Sequence, residues 1–369
     1  MKLQAFLALL VPLASVCCAA CANVGTSSKP VAGKLLIVGG GLDNDTAPIY
    51  RRFVELAGEC GSANIVIVSA ATGPQEEEIT DKTEALRVWA PGVPVSAVRR
   101  ESSTEETVAR IDAATALLFT GGDQQRITDR YRPAGAETPE WLAMRRLLAR
   151  GGVIAGCSAG DAMMGASMLL GGGSAAALGI ALPLEPGEDA PTLGPRTGPG
   201  MGFLPWAITD SHFFERERVG RLVAAQEALG IRLGLGVGED ACVEVDLATG
   251  DVRGVGVSES LVVDVAGLAR DGLRRTNLRA RVFGDGESVS LRAWLARPAS
   301  ASLAPPVGEA RVVALAEPGQ NRQLALWRLF RIAERVGEPL QRLSLEGFEV
   351  LAWPSGDGEV AFELAPRSP

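Results

Sequence analysis

The chain has 369 residues, 47% of them hydrophobic and 22% charged, with a formal net charge of −8. This is an ordinary globular composition, long enough for one large domain and an appendage. No basic run supplies the electrostatic footprint of a nucleic-acid surface, so that class of partner is excluded.

At the N-terminus, Lys2 precedes an apolar run from Leu3 to Val16 and then a string of small residues. This is the pattern of a secretory signal over residues 1–22, and the run is too short to span a bilayer. Two processing sites compete. Ala19-Ala20 before Cys21 suits lipoprotein processing, with Cys21 as a lipidated N-terminus, although Cys18 stands where an aliphatic residue is usual. Ala20-Cys21-Ala22 suits simple secretion before Asn23. The first is favoured, because cysteines cluster here and residues 23–33 read as a polar tether. Export is expected either way, to the periplasm, the outer membrane as a lipoprotein, or the exterior, with a lipid anchor as the only membrane contact. Beyond the signal, Cys60, Cys157 and Cys242 form neither a disulfide framework nor a metal-ligand spacing. Neither a metal nor a cofactor is expected.

From Lys34 onward, strand-like and helix-like segments alternate. LLIVGGG (35–41) is an apolar run ending in glycines, and a helical pattern follows through Ile49-Tyr50, Phe53-Val54 and Leu56-Ala57. NIVIVSAAT (64–72), VPVSAV (93–98), ALLFTGGDQ (116–124) and GVIAG (152–156) read as further strands. Helices are expected at 75–89, near 104–112, at 125–131, 139–150 and 160–170. Near-continuous apolar strands separated by amphipathic helices mean a parallel sheet covered on both faces. Ligands of such folds sit at the carboxyl ends of the strands.

Residues 171–204 are rich in Gly and Pro and read as a long loop. WAITDSH (206–212) is a strand, a helix is expected from about Arg216 to Leu229, and 233–257 reads as β-hairpin structure turning at Ala248-Thr249-Gly250. Strands follow at 260–265 and 277–292. The main domain thus covers 34–297. By composition 298–308 is a linker, and 309–369 reads as a small α+β appendage with a helix through LALWRLFRIAERV and no assignable chemistry.

The chemistry concentrates in three places. Gly156-Cys157-Ser158-Ala159-Gly160 fits G-x-S-x-G, with a buried strand entering and an apolar helix leaving. That context exposes Ser158 on a tight turn, where the Ala159 N–H faces developing negative charge. The bland reading is a capping serine, and Cys157 is the rival nucleophile. Gly121-Gly122-Asp123-Gln124 ends the neighbouring strand, offering backbone donors and an amide, although on this motif alone a plain turn is the commoner case. A serine hydroxyl needs a base, and His212 is the sole histidine. It stands at a strand end, and Glu239, at the end of LGLGVG, is the candidate acid to orient it. Arg216, Arg218 and Arg221 cluster where a helix dipole disfavours cations. Either Glu215 and Glu217 offset them, or they hold substrate carboxylates by paired hydrogen bonds.

FTGGDQQRI (119–127), GCSAGDAMMG (156–165), DSHFFERERVGRL (210–222) and GLGVGEDA (234–241), in this order, resemble the cyanophycinase family of serine peptidases, relatives of dipeptidase E. The resemblance covers about residues 34–292. It implies a flavodoxin-like, glutamine-amidotransferase-like three-layer α/β fold, doubly wound about a mostly parallel sheet with added β-hairpins. It implies Ser158 as nucleophile, His212 as base, Glu239 as third member, and an oxyanion held by the backbone around Gly122, Asp123 and Ala159. Gln124, Asp210, Arg216, Arg218 and Arg221 would line the substrate pocket. The implied substrates are β-linked aspartyl peptides, either the polymer cyanophycin or acidic dipeptides, hydrolysed through an acyl-enzyme. Three departures bear on the substrate: Ser211 where cyanophycinases usually have Gln, Asp161 in place of a small residue, and Gly238 in place of an acid. Rival readings are an α/β-hydrolase esterase, with its acid at Asp189 or Asp210, and a non-catalytic peptide-binding lipoprotein. The sequence leaves both a monomer and a homodimer open.

Overall fold

The computed structural model describes residues 33–42, 46–59, 62–182, 191–299, 303, 305–306, 308–313, 325–335 and 340–367. The signal segment 1–22, nearly all of the tether, Cys21, Cys60 and Asp189 lie outside the described residues.

Five strands form a parallel block in the spatial order Val95–Val98, Ile65–Val68, Ala116–Phe119, Val153–Cys157, Lys34–Val38. Their alternation divides side chains between two cores. Leu35, Ile37, Val66, Val68, Leu117, Phe119 and Ile154 belong to one. Leu36, Val38, Ile65, Ile67, Leu118 and Val153 belong to the other, with helix Ala47–Glu59 contributing Tyr50, Phe53 and Leu56. Each large aliphatic side chain so buried contributes roughly 1.5–3 kcal/mol. Ala241–Asp246, Asp251–Gly256 and Ser288–Ser290 continue this sheet antiparallel beyond Lys34–Val38. The hairpin between the first two turns at residues 247–250, as the sequence suggests.

Ala207–Asp210 and Leu233–Val237 pair in parallel, but in a second sheet rather than as an extension of the first. Leu233, Leu235 and Val237 enter the first core. The intervening Gly234 and Gly236 leave space on the opposite face, where a Cβ at Gly236 would fall 2.4 Å from the Phe213 ring. Three layers result, with both parallel blocks delivering their carboxyl ends to one rim.

Three segments differ from the sequence reading. The helix expected over 160–170 is one turn, Ala159–Ala162, followed by strand Ser167–Gly171. Gly165 stops it, since its backbone lies against Ala207, whose carbonyl oxygen would be 2.9 Å from a Cβ there. The helix expected from Arg216 begins at Val219, because Glu217 takes a positive φ of 50°. The segment set apart by composition after residue 308 is continuous in hydrogen bonding with what precedes it. Gln341–Ser344, Phe348–Gly356 and Glu359–Pro366 extend the second sheet through Arg274–Phe283. Helix Ala325–Ala333 shares a core with helix Val219–Leu229.

Candidate active site

The serine turn is tight because its glycines leave no alternative. A Cβ on Gly156 would lie 2.3 Å from the Gly160 carbonyl oxygen, and one on Gly160 would lie 3.0 Å from Phe119. Ser158 adopts φ 54° and ψ −97°, a conformation costing about 1–3 kcal/mol for a residue with a side chain. Its N–H donates to the Val38 carbonyl at 2.9 Å, and its own carbonyl accepts from Asp161 and Ala162. The hydroxyl is left at the rim.

His212 stands just beyond strand Ala207–Asp210 with φ 46°. Its N–H donates to the Gly39 carbonyl at 2.7 Å. Ser158 Oγ lies 2.8 Å from His212 Nε2, and Glu239 Oε1 lies 2.6 Å from Nδ1. In the neutral ring this network assigns the Nδ1 proton to the Glu239 bond and leaves Nε2 to accept from the serine. Burial lowers the His212 pKa below its ordinary value. The Glu239 hydrogen bond opposes this, and Arg216 reinforces it. A base kept neutral at physiological pH, bonded to a half-buried serine at the rim, has the geometry of nucleophile activation.

Ala159 follows this serine, and Gly121, just before Gly122, packs against it, a Cβ there lying 3.7 Å from Ser158 Cβ. A Cβ on Gly122, at φ 132°, would fall 2.4 Å from the Ala71 carbonyl oxygen, so the turn requires glycine. Among the described residues no carbonyl takes the N–H of Gly122 or of Ala159. Asp123 differs: its N–H donates to the Ala71 carbonyl at 3.1 Å, and its carboxylate caps helix Gln124–Tyr131 through the Gln125 N–H. It is therefore withdrawn from the donors expected to hold an oxyanion. Gln124 is also engaged, its amide donating to the Leu169 carbonyl at 2.6 Å and pinning strand Ser167–Gly171.

The arginines separate. Asp210 and Arg221 are both buried and paired, with Arg221 Nε on Asp210 Oδ2 at 2.7 Å and Nη2 on Oδ1. Arg221 Nη1 also reaches the Gly172 carbonyl. Neither lines an open pocket, because each satisfies the other inside the fold. Arg218 donates to the Ser211 carbonyl at 2.6 Å, and burial lowers its pKa to about 10. Arg216 is exposed and has no ion-pair partner among the described residues. It remains the cation of the three available to a substrate carboxylate. Cys157 is buried, which pushes its thiol up to about 12 and removes it as a nucleophile near neutral pH. The esterase reading needs an acid that Asp210, tied to two arginines, does not offer to His212.

The roles of two residues escaped the sequence reading. Gly40, at φ 141°, lies so close to His212 that a Cβ there would be 2.3 Å from the ring Cε1. The triplet Gly39-Gly40-Gly41 at a strand's carboxyl end was its available signal. Asp161 is fully buried with neither carboxyl oxygen hydrogen-bonded, and burial holds its pKa well above the ordinary carboxylate range. The departure at position 161 is thus a neutral group inside the fold rather than a charge at the helix start.

Residues 35–246 match the model of peptidase family S51, and the chain belongs to that family. The cyanophycinase of Synechococcus elongatus is 31% identical over 204 residues, spanning 53% of this chain and 58% of that protein. The cyanophycinase of Nostoc sp. is 29% identical over 279 residues, 70% of this chain and 85% of its own length. The crystal structure of a peptidase from an acI-B1 Actinobacterium superposes with a TM-score of 0.50 at 20% identity, covering 71% of this chain and 98% of that one. That likeness concerns the fold, a flavodoxin-like α/β arrangement. All four motifs fall inside the matched residues.

Proposed function

We propose that this member of peptidase family S51 is an exported serine hydrolase that cleaves β-aspartyl peptide bonds through an acyl-enzyme. The observation that carries the proposal is the hydrogen-bonded chain Ser158–His212–Glu239 beside the unengaged N–H groups of Gly122 and Ala159. As the Ser158 oxygen attacks the carbonyl, its proton passes to His212 Nε2, and Glu239 holds the imidazolium that forms. The carbonyl oxygen, now negative, is met by the two N–H groups; donors of this kind are worth roughly 2.7–4 kcal/mol each in the transition state. His212 returns the proton to the departing amine, and water then repeats the sequence on the acyl-serine. A β-aspartyl bond leaves its α-carboxylate free, and the exposed Arg216 supplies a cation for it.

The test compares the mature protein with Ser158→Ala on insoluble cyanophycin and on soluble β-Asp-Arg, following clearing and released amine. The proposal expects Ser158-dependent turnover of at least one. Polymer clearing identifies a cyanophycinase, whereas cleavage of the dipeptide alone identifies an isoaspartyl dipeptidase, a result Ser211 would favour by removing an amide from the pocket. No turnover of either overturns the substrate, and failure of a fluorophosphonate to label Ser158 overturns the mechanism in favour of a binding module. Export is proposed with Cys21 as the anchor. A mature N-terminus carrying diacylglycerol on Cys21 supports it, and a free Asn23 overturns the anchor.

A further inference from the structure

Residues 325–367 lie beyond the family match and contribute no side chain to the triad. They are nevertheless joined to the triad's acid through Glu259. The carboxylate of Glu239 has no hydrogen bond among the described residues other than that to His212, and its side chain is 37% exposed. Its aim therefore depends on the backbone that carries it. The Gly238 N–H donates to the Glu259 carbonyl at 3.1 Å, and the Asp240 N–H to the Gly40 carbonyl. The Glu259 contact is close-packed, since a Cβ at Gly238 would be 2.9 Å from that carbonyl oxygen.

The C-terminal helix Ala325–Ala333 holds Glu259 from outside. Arg331 Nε lies 2.9 and 2.8 Å from its two carboxylate oxygens, and Nη2 lies 2.6 Å from Oε1. The Trp327 indole N–H donates to Oε2. Arg331 also reaches Glu287 and Glu334, both at 2.9 Å, and Glu287 accepts the Gly284 N–H at 2.6 Å. Paired guanidinium–carboxylate contacts fix orientation as well as distance. The apolar face of the same helix, Leu326, Leu329 and Phe330, is buried in the core that holds Phe213 and Phe214, next to His212.

We infer that Arg331 is a positioning residue: through Glu259 it fixes the backbone at Gly238 and thereby aims Glu239 at His212. The inference rests on the Ser158–His212–Glu239 reading. It makes the C-terminal segment a working part of the site in this chain.

The test follows fluorophosphonate labelling of Ser158 against pH in the full-length protein, per folded molecule, for Arg331→Met, Arg331→Lys, Glu259→Gln and, as reference, Glu239→Gln. Labelling requires neutral His212. An imidazolium that loses its aligned carboxylate is less stable, so the acid midpoint should move to lower pH in Arg331→Met and Glu259→Gln. The plateau rate should fall by roughly 10- to 100-fold, as for displacements of about 1 Å. Arg331→Lys should recover part of both. A lower folded fraction with unchanged midpoint and unchanged rate per folded molecule overturns the inference. If Glu239→Gln shifts the profile and Arg331→Met does not, only the positioning role fails. If Glu239→Gln itself leaves the profile unchanged, the triad reading fails and this inference with it.

Discussion

Replacing Gly40 by alanine should disable the site without replacing any residue of the triad. The added Cβ would lie 2.3 Å from His212 Cε1 and 2.6 Å from Nδ1, whereas ordinary contact begins at 3.4 Å. The imidazole must therefore move by about 1.1 Å, or the strand end must. Neither retreat is free. The His212 main chain is tied to the Gly39 carbonyl at 2.7 Å, and a Cβ on Gly39 would be only 2.2 Å from the Gly238 carbonyl oxygen, so backbone already abuts backbone there. Because the ring bonds Ser158 at 2.8 Å on one side and Glu239 at 2.6 Å on the other, a shift of this size spoils at least one bond. A misplacement of about 1 Å costs on the order of 10²-fold in rate. A φ of 141° adds backbone strain of about 1–3 kcal/mol. The assay is the rate of Ser158 labelling by a fluorophosphonate, with Tm measured alongside. Gly92→Ala is the control, since Gly92 has φ 84° and open space around it. It should lower Tm and leave labelling alone. A Gly40→Ala protein labelled at the wild-type rate would refute the reasoning.

Burial and Arg216 both disfavour the His212 imidazolium, so the acid limb of kcat/KM against pH should have its midpoint below the ordinary histidine value near 6.5. Arg216→Ala removes one of those penalties, and its midpoint should move to higher pH; a shift in the opposite direction contradicts the assignment. Asp161, with its pKa raised by burial, binds its proton more tightly folded than unfolded, so its contribution is intact below the unfolded pKa and is lost as pH rises towards the folded one. Asp161→Asn should therefore gain stability over wild type at pH 8 relative to pH 5 in urea unfolding, and an equal difference at both pH values would discount the buried neutral carboxyl. Asp210→Ala leaves Arg221 buried without its partner and should cost about 3–5 kcal/mol by the same method; a loss of activity at full stability would instead return Asp210 to the substrate pocket.

The parts legible in the sequence are those written locally. Five apolar runs, each ended by a glycine-rich or polar turn, place the parallel block, and G-x-S-x-G between a strand and a helix marks the serine turn from its own five residues. Position 212 was legible for a different reason: with one histidine in the chain, a serine needing a base has a single candidate. Residues 160–170 read as a helix because Ala, Met and Leu are strong helix formers, and what stops it is Gly165 meeting a strand forty residues away, a contact that local propensity does not carry.

The donors near Ser158 show the same limit more sharply. Gly121 to Gln124 all sit on the correct rim, and the sequence cannot tell them apart, because each is a donor until something else claims it. Ala71 claims the N–H of Asp123, and Leu169 claims the amide of Gln124. Both partners are remote in sequence and supply only main-chain carbonyls, which any residue type would present. The arginine cluster was divided in the same way: its members share a local pattern, and burial beside Asp210 separates Arg221 from Arg216. Residue types therefore announce which chemistry a site can host, whereas competition among hydrogen-bond partners decides which member of a motif is left to perform it.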